Sequence, residues 1–256
     1  MQTRELFDLS GRIALVTGGS RGLGLAIATA LGEMGARVAI TARKPDELNE
    51  AAAHLARLGI EAQTIAADLA DLPAIPGLVD QVIGRLGDID ILVNNAGTTW
   101  GAPAESHPAD AWRKVMTLNV DAMFFLSQEV ARRSLIPRRR GKIINMASIA
   151  GLSGGLGLTT VAYNTSKAAI IHCTRTLAAE WGKYNINVNA LCPGFFPSKM
   201  SRGVLERIEP AILARTPLQR LGGEDDLKGA VVFLASEASR HVTGQYVAVD
   251  GGASIA

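Results

Sequence analysis

The sequence predicts an α/β fold, a doubly wound parallel sheet with helices on both faces, and three observations carry that prediction. Short β-branched runs alternate with longer helical stretches from one end of the chain to the other. The runs are nearly all apolar instead of alternating with polar residues, as strands buried on both faces are. Successive runs are spaced for one crossover helix each, which gives right-handed βαβ units.

Taken in order, Arg12–Thr17 reads as a strand, and Gly22–Gly35 as a helix with Leu23, Ile27, Ala30 and Leu31 on its apolar face. Arg37–Thr41 is a second strand. Pro45 then stands in a first helical turn, where its missing N–H costs nothing, and Gly59 follows the helix that ends near Leu58. Glu61–Ala67, Ile89–Val93, Lys142–Met146, Ile186–Leu191 and Tyr246–Val249 supply the remaining strands, and Val161–Trp181 reads as a long helix. No linker, low-complexity tract or solenoid-length repeat breaks the series. A single domain over 1–256 is expected, with 195–217 as a lid inserted in it.

Composition narrows the function classes. A chain of 256 residues, 48% hydrophobic and 20% charged, can bury roughly 70–75% of its unfolded surface and needs no disulfide or metal to fold. Cys173 and Cys192 lack zinc-ligand spacing and read as small buried hydrophobes in a reducing compartment. A net charge of +2 argues against nucleic acid as a partner. The one dense basic run, Arg138-Arg139-Arg140 after Arg132 and Arg133, reads first as a solvated loop. No apolar run approaches the ~18–20 residues of a membrane span, and MQTRELFDLSGR has neither signal- nor transit-peptide character. A cytoplasmic location is expected.

The first strand runs straight into Thr17-Gly18-Gly19-Ser20-Arg21-Gly22-Leu23-Gly24 and a helix. Glycines there let the backbone approach a pyrophosphate, while free N–H groups and the helix dipole favour the anion. The domain is therefore expected to be of Rossmann type. The spacing is Gly-x-x-x-Gly-x-Gly and no Gly-Lys-Ser/Thr follows, which favours a dinucleotide over a nucleoside triphosphate. The second strand ends Ile40-Thr41-Ala42-Arg43, with no carboxylate for a ribose 2′-hydroxyl and with Arg43 and Arg21 in reach of a 2′-phosphate. NADP(H) is thus expected in preference to NAD(H).

Tyr163 and Lys167 stand four apart, on one face of a helix. A neighbouring ammonium favours phenolate and makes a tyrosine a usable acid/base near neutral pH. Ser148 ends a strand, where it reads equally as a helix N-cap, and Asn119 reads equally as a core residue satisfying backbone groups.

Together these residues resemble the short-chain dehydrogenase/reductase family over nearly the whole chain. Thr17–Gly24 is similar to its cofactor loop; Asp68 and Leu69 stand where the family contacts adenine. Asn94-Asn95-Ala96-Gly97 resembles a family signature, as do Pro193-Gly194 at the nicotinamide and Val249-Asp250-Gly251-Gly252 near the C-terminus. Phe196 and Ser198 match positions that contact the carboxamide. The resemblance implies hydride transfer between nicotinamide and a carbonyl carbon. Tyr163 would give its proton to the forming alkoxide. Lys167 would lower the tyrosine pKa and hold the nicotinamide ribose. Ser148 would donate to the substrate oxygen, and Asn119 would place the water that reloads the proton. No metal is implied. Gly18, Ser20, Gly22, Leu23, Gly24, Asn95, Ala96, Gly97 and Gly194 complete the expected cofactor contacts. The stretch Gly151-Leu152-Ser153-Gly154-Gly155-Leu156-Gly157 is longer than the family usually has, and leaves Ser153 as a rival to Ser148.

For substrate, the chain is most similar to 3-oxoacyl reductases acting on acyl-carrier protein or coenzyme A thioesters. Asn94–Gly101 and Pro193–Met200 resemble the reductases of bacterial rhamnolipid synthesis. Phe195, Phe196, Met200, Leu205 and Ile208 would give the lid an apolar inner face for an acyl chain, and Arg138–Arg140 could meet an acidic carrier. Sugar-acid dehydrogenases of the gluconate 5-dehydrogenase kind are the alternative; a catalytically silent nicotinamide sensor is a reading from another class. The resemblance implies a homodimer or homotetramer, and Ala168, Ile170, Ile171 and Leu177 put apolar residues on more than one face of the Val161–Trp181 helix.

Overall fold

A computed structural model describes residues 2–154, 158–198 and 202–256, with no side chains at 202 and 204–207. Gly155, Leu156, Gly157 and Met200, and the side chain of Leu205, therefore lie outside the described residues. Seven parallel strands form one sheet: β1 (Ile13–Thr17), β2 (Arg37–Ala42), β3 (Ala62–Ala66), β4 (Ile91–Asn94), β5 (Gly141–Met146), β6 (Ile186–Pro193) and β7 (Tyr246–Val249). Their order is β3-β2-β1-β4-β5-β6-β7. Between them run α1 (Gly22–Glu33), α2 (Pro45–Arg57), α3 (Ile75–Leu86), α4 (Ala109–Met116), α5 (Ala122–Val130), α6 (Ile136–Arg138), α7 (Val161–Trp181), α8 (Arg202–Arg215) and α9 (Lys228–Ala235). This is the Rossmann-type sheet expected.

Each strand divides its side chains between two cores because successive residues point to opposite faces. Ala14, Val16, Val38, Ile40, Val93, Ile144 and Met146 pack on one face with Ile27 and Leu31 of α1, Leu48 and Leu55 of α2 and Val231 of α9. Ile13, Leu15, Ala39, Leu92 and Ile143 pack on the other with Leu78 and Val82 of α3, Leu126 of α5 and Leu177 of α7. All-apolar strands are what two covered faces require.

Two expectations need correction. The Arg138–Arg140 run is neither a free loop nor a docking patch near the chemistry. Arg138 Nη1 and Arg140 Nη2 pair with Oδ1 of buried Asp90 at 2.9 and 3.1 Å, and Arg139 donates to the carbonyl of Lys183 at 2.7 Å. The run precedes β5, whereas Ser148 follows it, so the length of a strand, roughly 20 Å at ~3.3 Å per residue, separates them. Of the four residues expected to spread over more than one face of α7, Ile170, Ile171 and Leu177 are buried within this chain's own cores and Ala168 alone is exposed. The segment 195–217, expected as a lid, contains α8, with Pro210 inside that helix.

The helical run from α4 to α6 is broken twice by π-helical turns, Thr117–Asp121 and Ala131–Leu135. No helix among the described residues is long and apolar enough to cross a membrane.

Candidate active site

β1 and β4 are neighbours, while the chain leaves β1 towards β2 on one side and β4 towards β5 on the other. At such a reversal the loops beyond the carboxyl ends separate and leave a crevice. The glycine turn lies on its floor. Gly18 has φ +62°, a conformation that suits glycine, and a Cβ on Gly24 would lie 2.1 Å from the Gly18 carbonyl oxygen. The turn is braced from β4. Thr17 Oγ1 accepts from the backbone N–H of Asn95 and of Ala96, both at 2.9 Å, and Asn95 Nδ2 donates to the carbonyls of Thr17 and Gly18 at 2.9 and 3.2 Å. Asn95 thus shapes the turn with its side chain.

Other predicted cofactor residues ring the crevice. Ser20 is buried; Arg21 and Gly22 are exposed and Leu23 is half-buried at the start of α1. Arg43, just after β2, is exposed. Asp68 Oδ1 accepts from Ala70 N at 3.0 Å, while the Leu69 side chain belongs to the core. Pro193 ends β6, and Gly194 packs so closely on Asp250 that a Cβ would lie 2.8 Å from its Cα. Ser198 faces Gly22 across the crevice, 4.0 Å from where a Cβ would be. Phe196 differs from its expected place in the lid lining. The residue is 6% exposed, its ring in the core against Gly222.

The catalytic candidates converge beyond β5. Ser148 caps the one-turn helix Ile149–Gly151, its Oγ accepting from Ala150 N at 3.1 Å, and it hydrogen-bonds the Tyr163 phenol. The N-cap reading of Ser148 holds, and a hydroxyl that accepts with its lone pairs still has a proton to donate. Lys167 Nζ lies 5.5 Å from the Tyr163 ring centroid and donates to the Met146 carbonyl at 2.6 Å. The turn after Ser148 presses on α7: a Cβ on Gly151 would lie 2.6 Å from the Lys167 carbonyl carbon.

The electrostatics differ from expectation. Burial raises the Tyr163 pKa, and the Ser148 hydroxyl is the group that draws it down. Burial also lowers Lys167 to about 8, which weakens the ammonium as a source of stabilisation for phenolate. Cys192, at the end of β6, takes a hydrogen bond from the Ser148 backbone, and burial pushes its thiol up to about 11.

Asn119 lies in the first π-helical turn, as such distortions often do at functional sites. Its amide uses three of its four hydrogen-bonding positions: Oδ1 accepts from Thr98 N at 2.8 Å, and Nδ2 donates to Thr98 O and Ser166 Oγ, both at 2.9 Å. Thr98 and Ser166 escaped the sequence reading because contacts to a backbone and to a helical serine leave no motif. Neighbouring Asn94 heads a buried chain, donating to Ser127 Oγ and Asn145 Oδ1 at 2.8 Å each, with Asn145 donating to Thr174 Oγ1 at 2.9 Å. That chain ties β4, β5 and α7 together beneath the site. Asn119→Ala would strand the Thr98 N–H and carbonyl, and unfolding by denaturant should register a loss of about 2–4 kcal/mol.

A close-approach glycine turn at a helix N-terminus, cations beyond β2 and a buried lysine beside a tyrosine fit a phosphorylated dinucleotide. The chain's relatives agree with that geometry. The family profile described as enoyl-(acyl carrier protein) reductase matches residues 18–254. A gluconate 5-dehydrogenase of Gluconobacter oxydans is 38% identical over 257 residues, covering 100% of this chain and 99% of that protein. The rhamnolipid-biosynthesis 3-oxoacyl-[acyl-carrier-protein] reductase of Pseudomonas aeruginosa is 42% identical over 254 residues, covering 96% and 97%. The crystal structure of a gluconate 5-dehydrogenase from Burkholderia cenocepacia, in complex with NADP and tartrate, superposes with a TM-score of 0.94 at 36% identity over 100% of both chains. With motif, geometry and full-length likeness in agreement, this chain belongs to the short-chain dehydrogenase/reductase family of oxidoreductases.

Proposed function

We propose that the protein is an NADP(H)-dependent reductase that converts 3-oxoacyl thioesters to 3-hydroxyacyl thioesters. One observation favours this substrate over a sugar acid. Among the described residues, the segments around Tyr163 and Ser148 (98–103, 148–154, 158–163 and 194–198) contain no Asp, Glu, Lys, Arg or His. Ala102 N donates to Thr159 O at 2.8 Å, so two of these segments form one wall. A sugar-acid carboxylate set among them would find no cation within these segments, and burying a charge demands one. A neutral β-keto group on an acyl chain needs none. The second reading, a gluconate-type dehydrogenase, is favoured by the names of relatives, including the two gluconate 5-dehydrogenases above.

Bound NADP(H) supplies the hydride equivalent. Tyr163 delivers its proton to the carbonyl oxygen as that oxygen becomes an alkoxide. Ser148 donates to the same oxygen, orienting it and offsetting developing charge. Lys167 holds the nicotinamide ribose through its ammonium. Asn119 places the water that reloads Tyr163. Arg21 and Arg43 receive the 2′-phosphate, and the backbone of Gly18–Gly24 the pyrophosphate.

The test is NADPH oxidation with a 3-oxoacyl-coenzyme A, the same acyl group on carrier protein, and 5-keto-gluconate. The reading expects kcat/KM for either thioester to exceed that for the sugar acid by about tenfold or more, as for a site lacking a partner for a buried charge. The opposite ranking establishes the gluconate-type reading, and cofactor binding without turnover of any carbonyl the sensor. Ser148→Ala should lower kcat about 10²–10³-fold. It should also move the acid limb of alcohol oxidation to higher pH, since phenolate loses the donor that lowers its pKa. A limb that stays put removes Ser148 from the proton-handling group.

The reading includes a homodimer or homotetramer. Trp112, Phe125 and Val161, on α4, α5 and α7, are 36%, 42% and 37% exposed, large apolar groups that favour burial between copies. Light scattering should show an oligomer that Phe125→Glu shifts towards monomer.

A further inference from the structure

The ribose-phosphate end of the crevice holds a carboxylate that the reaction does not require. Arg21 is the N-cap of α1, and its Nη1 lies 2.5 Å from Oε1 of Glu47 on α2. The same oxygen lies 3.5 Å from Nζ of Lys44. Glu47 is the third residue of α2, after Pro45 and Asp46, and it is less exposed than either cation it meets: 24% against 50% for Arg21 and 65% for Lys44. Lys44 is the N-cap of α2 and makes no side-chain cap, and the helix turns its positive end here. Cations and a helix N-terminus that suit a carboxylate also suit a phosphate.

We propose that Glu47 is a built-in competitor of the cofactor's 2′-phosphate, holding Arg21 and Lys44 in the free protein and so setting how far the site prefers NADP(H) over NAD(H). This rests on the reading of Arg21 and Arg43 as the groups that receive that phosphate. A 2′-phosphate entering between them meets Arg21 already neutralised and a like charge beside it. The pair has to open and the carboxylate to swing away before the guanidinium is available. NAD(H) imposes no such exchange, because its 2′-hydroxyl can donate to a carboxylate and leaves the Arg21–Glu47 pair intact. Glu47 therefore acts on the two cofactors in opposite senses. It supplies, from the first turn of α2, a partial counterpart of the acid missing from the end of β2.

Glu47→Gln keeps the shape and removes the charge. Dissociation constants for NADPH and NADH are read from nucleotide fluorescence on the full chain at one fixed ionic strength. The NADPH constant should fall about three- to fivefold, the equivalent of one exposed ion pair no longer opposing binding. The NADH constant should stay the same or rise within twofold. The Arg21→Ala background supplies the control: if Glu47 acts through Arg21, the same change there yields less than about a twofold gain, a coupling visible in the double-mutant cycle. Equal tightening of both nucleotides overturns the proposal, as does an undiminished gain without Arg21. Weaker NADPH binding also overturns it, because Glu47 would then be orienting Arg21 for the phosphate. A wild-type protein without preference for NADPH, in which Arg21→Ala changes nothing, overturns the phosphate reading and the proposal with it. A flat Glu47→Gln response in a protein that does prefer NADPH overturns the proposal alone.

Discussion

Tyr163→Phe is expected to lower kcat/KM for carbonyl reduction about 10²–10⁴-fold, the range spanned by loss of a positioned general acid. NADPH affinity should stay within about twofold, because the phenol oxygen is not among the groups that receive the phosphates. The fold should survive: Ser148 Oγ keeps its bond from Ala150 N, and the ring keeps its place on α7. Steady-state kinetics, a nucleotide titration and a thermal melt on one preparation separate these effects. Full activity in the variant would remove Tyr163 from the proton path.

Gly24→Ala should cost both stability and cofactor. The added methyl would lie 2.1 Å from the Gly18 carbonyl oxygen and 2.5 Å from Asn95 Nδ2. Neither can retreat cheaply, because one is backbone and the other is pinned by two hydrogen bonds. The turn and the start of α1 must separate, at a cost of about 1–3 kcal/mol for overpacking. The melting temperature should fall by about 3–10 °C at this chain length, and the NADPH dissociation constant should rise by about tenfold or more, each 1.4 kcal/mol of lost contact being one decade. Gly77→Ala, a helical position with nothing within 4 Å of the new methyl, is the control and should be neutral or stabilise by up to about 1 kcal/mol. An unchanged nucleotide affinity in Gly24→Ala would show that the turn does not carry the phosphates.

The strands were legible almost to the residue, and for one reason. A strand covered on both faces is apolar throughout, and the turns between such strands are written in Gly, Pro and charge. Lys142–Met146 was expected where Gly141–Met146 is observed, and Tyr246–Val249 agrees at both ends. Helix α8 was less legible, because a helix with an internal proline and mixed polarity carries no clear period. The basic run misled for a different reason. Sequence shows Arg138, Arg139 and Arg140 side by side, but not the buried Asp90 that gathers two of them, 48 and 50 positions away in the chain.

The sequence by itself determined the sheet and its crossover helices, because each is encoded in periodicity, and it set Tyr163 and Lys167 on one helix face by their spacing; Ser148 and Asn119 were singled out by resemblance to the family. Tertiary structure alone decided what those groups experience. Burial raises Tyr163 and lowers Lys167, and Ser148 rather than the lysine draws the phenol down. Asn119 spends its amide on Thr98 and Ser166, and Asn95 on the glycine turn. Glu47 reaches Arg21 from a separate helix. Solvation and long-range partners depend on which surfaces meet when the chain closes, and a linear pattern does not record that.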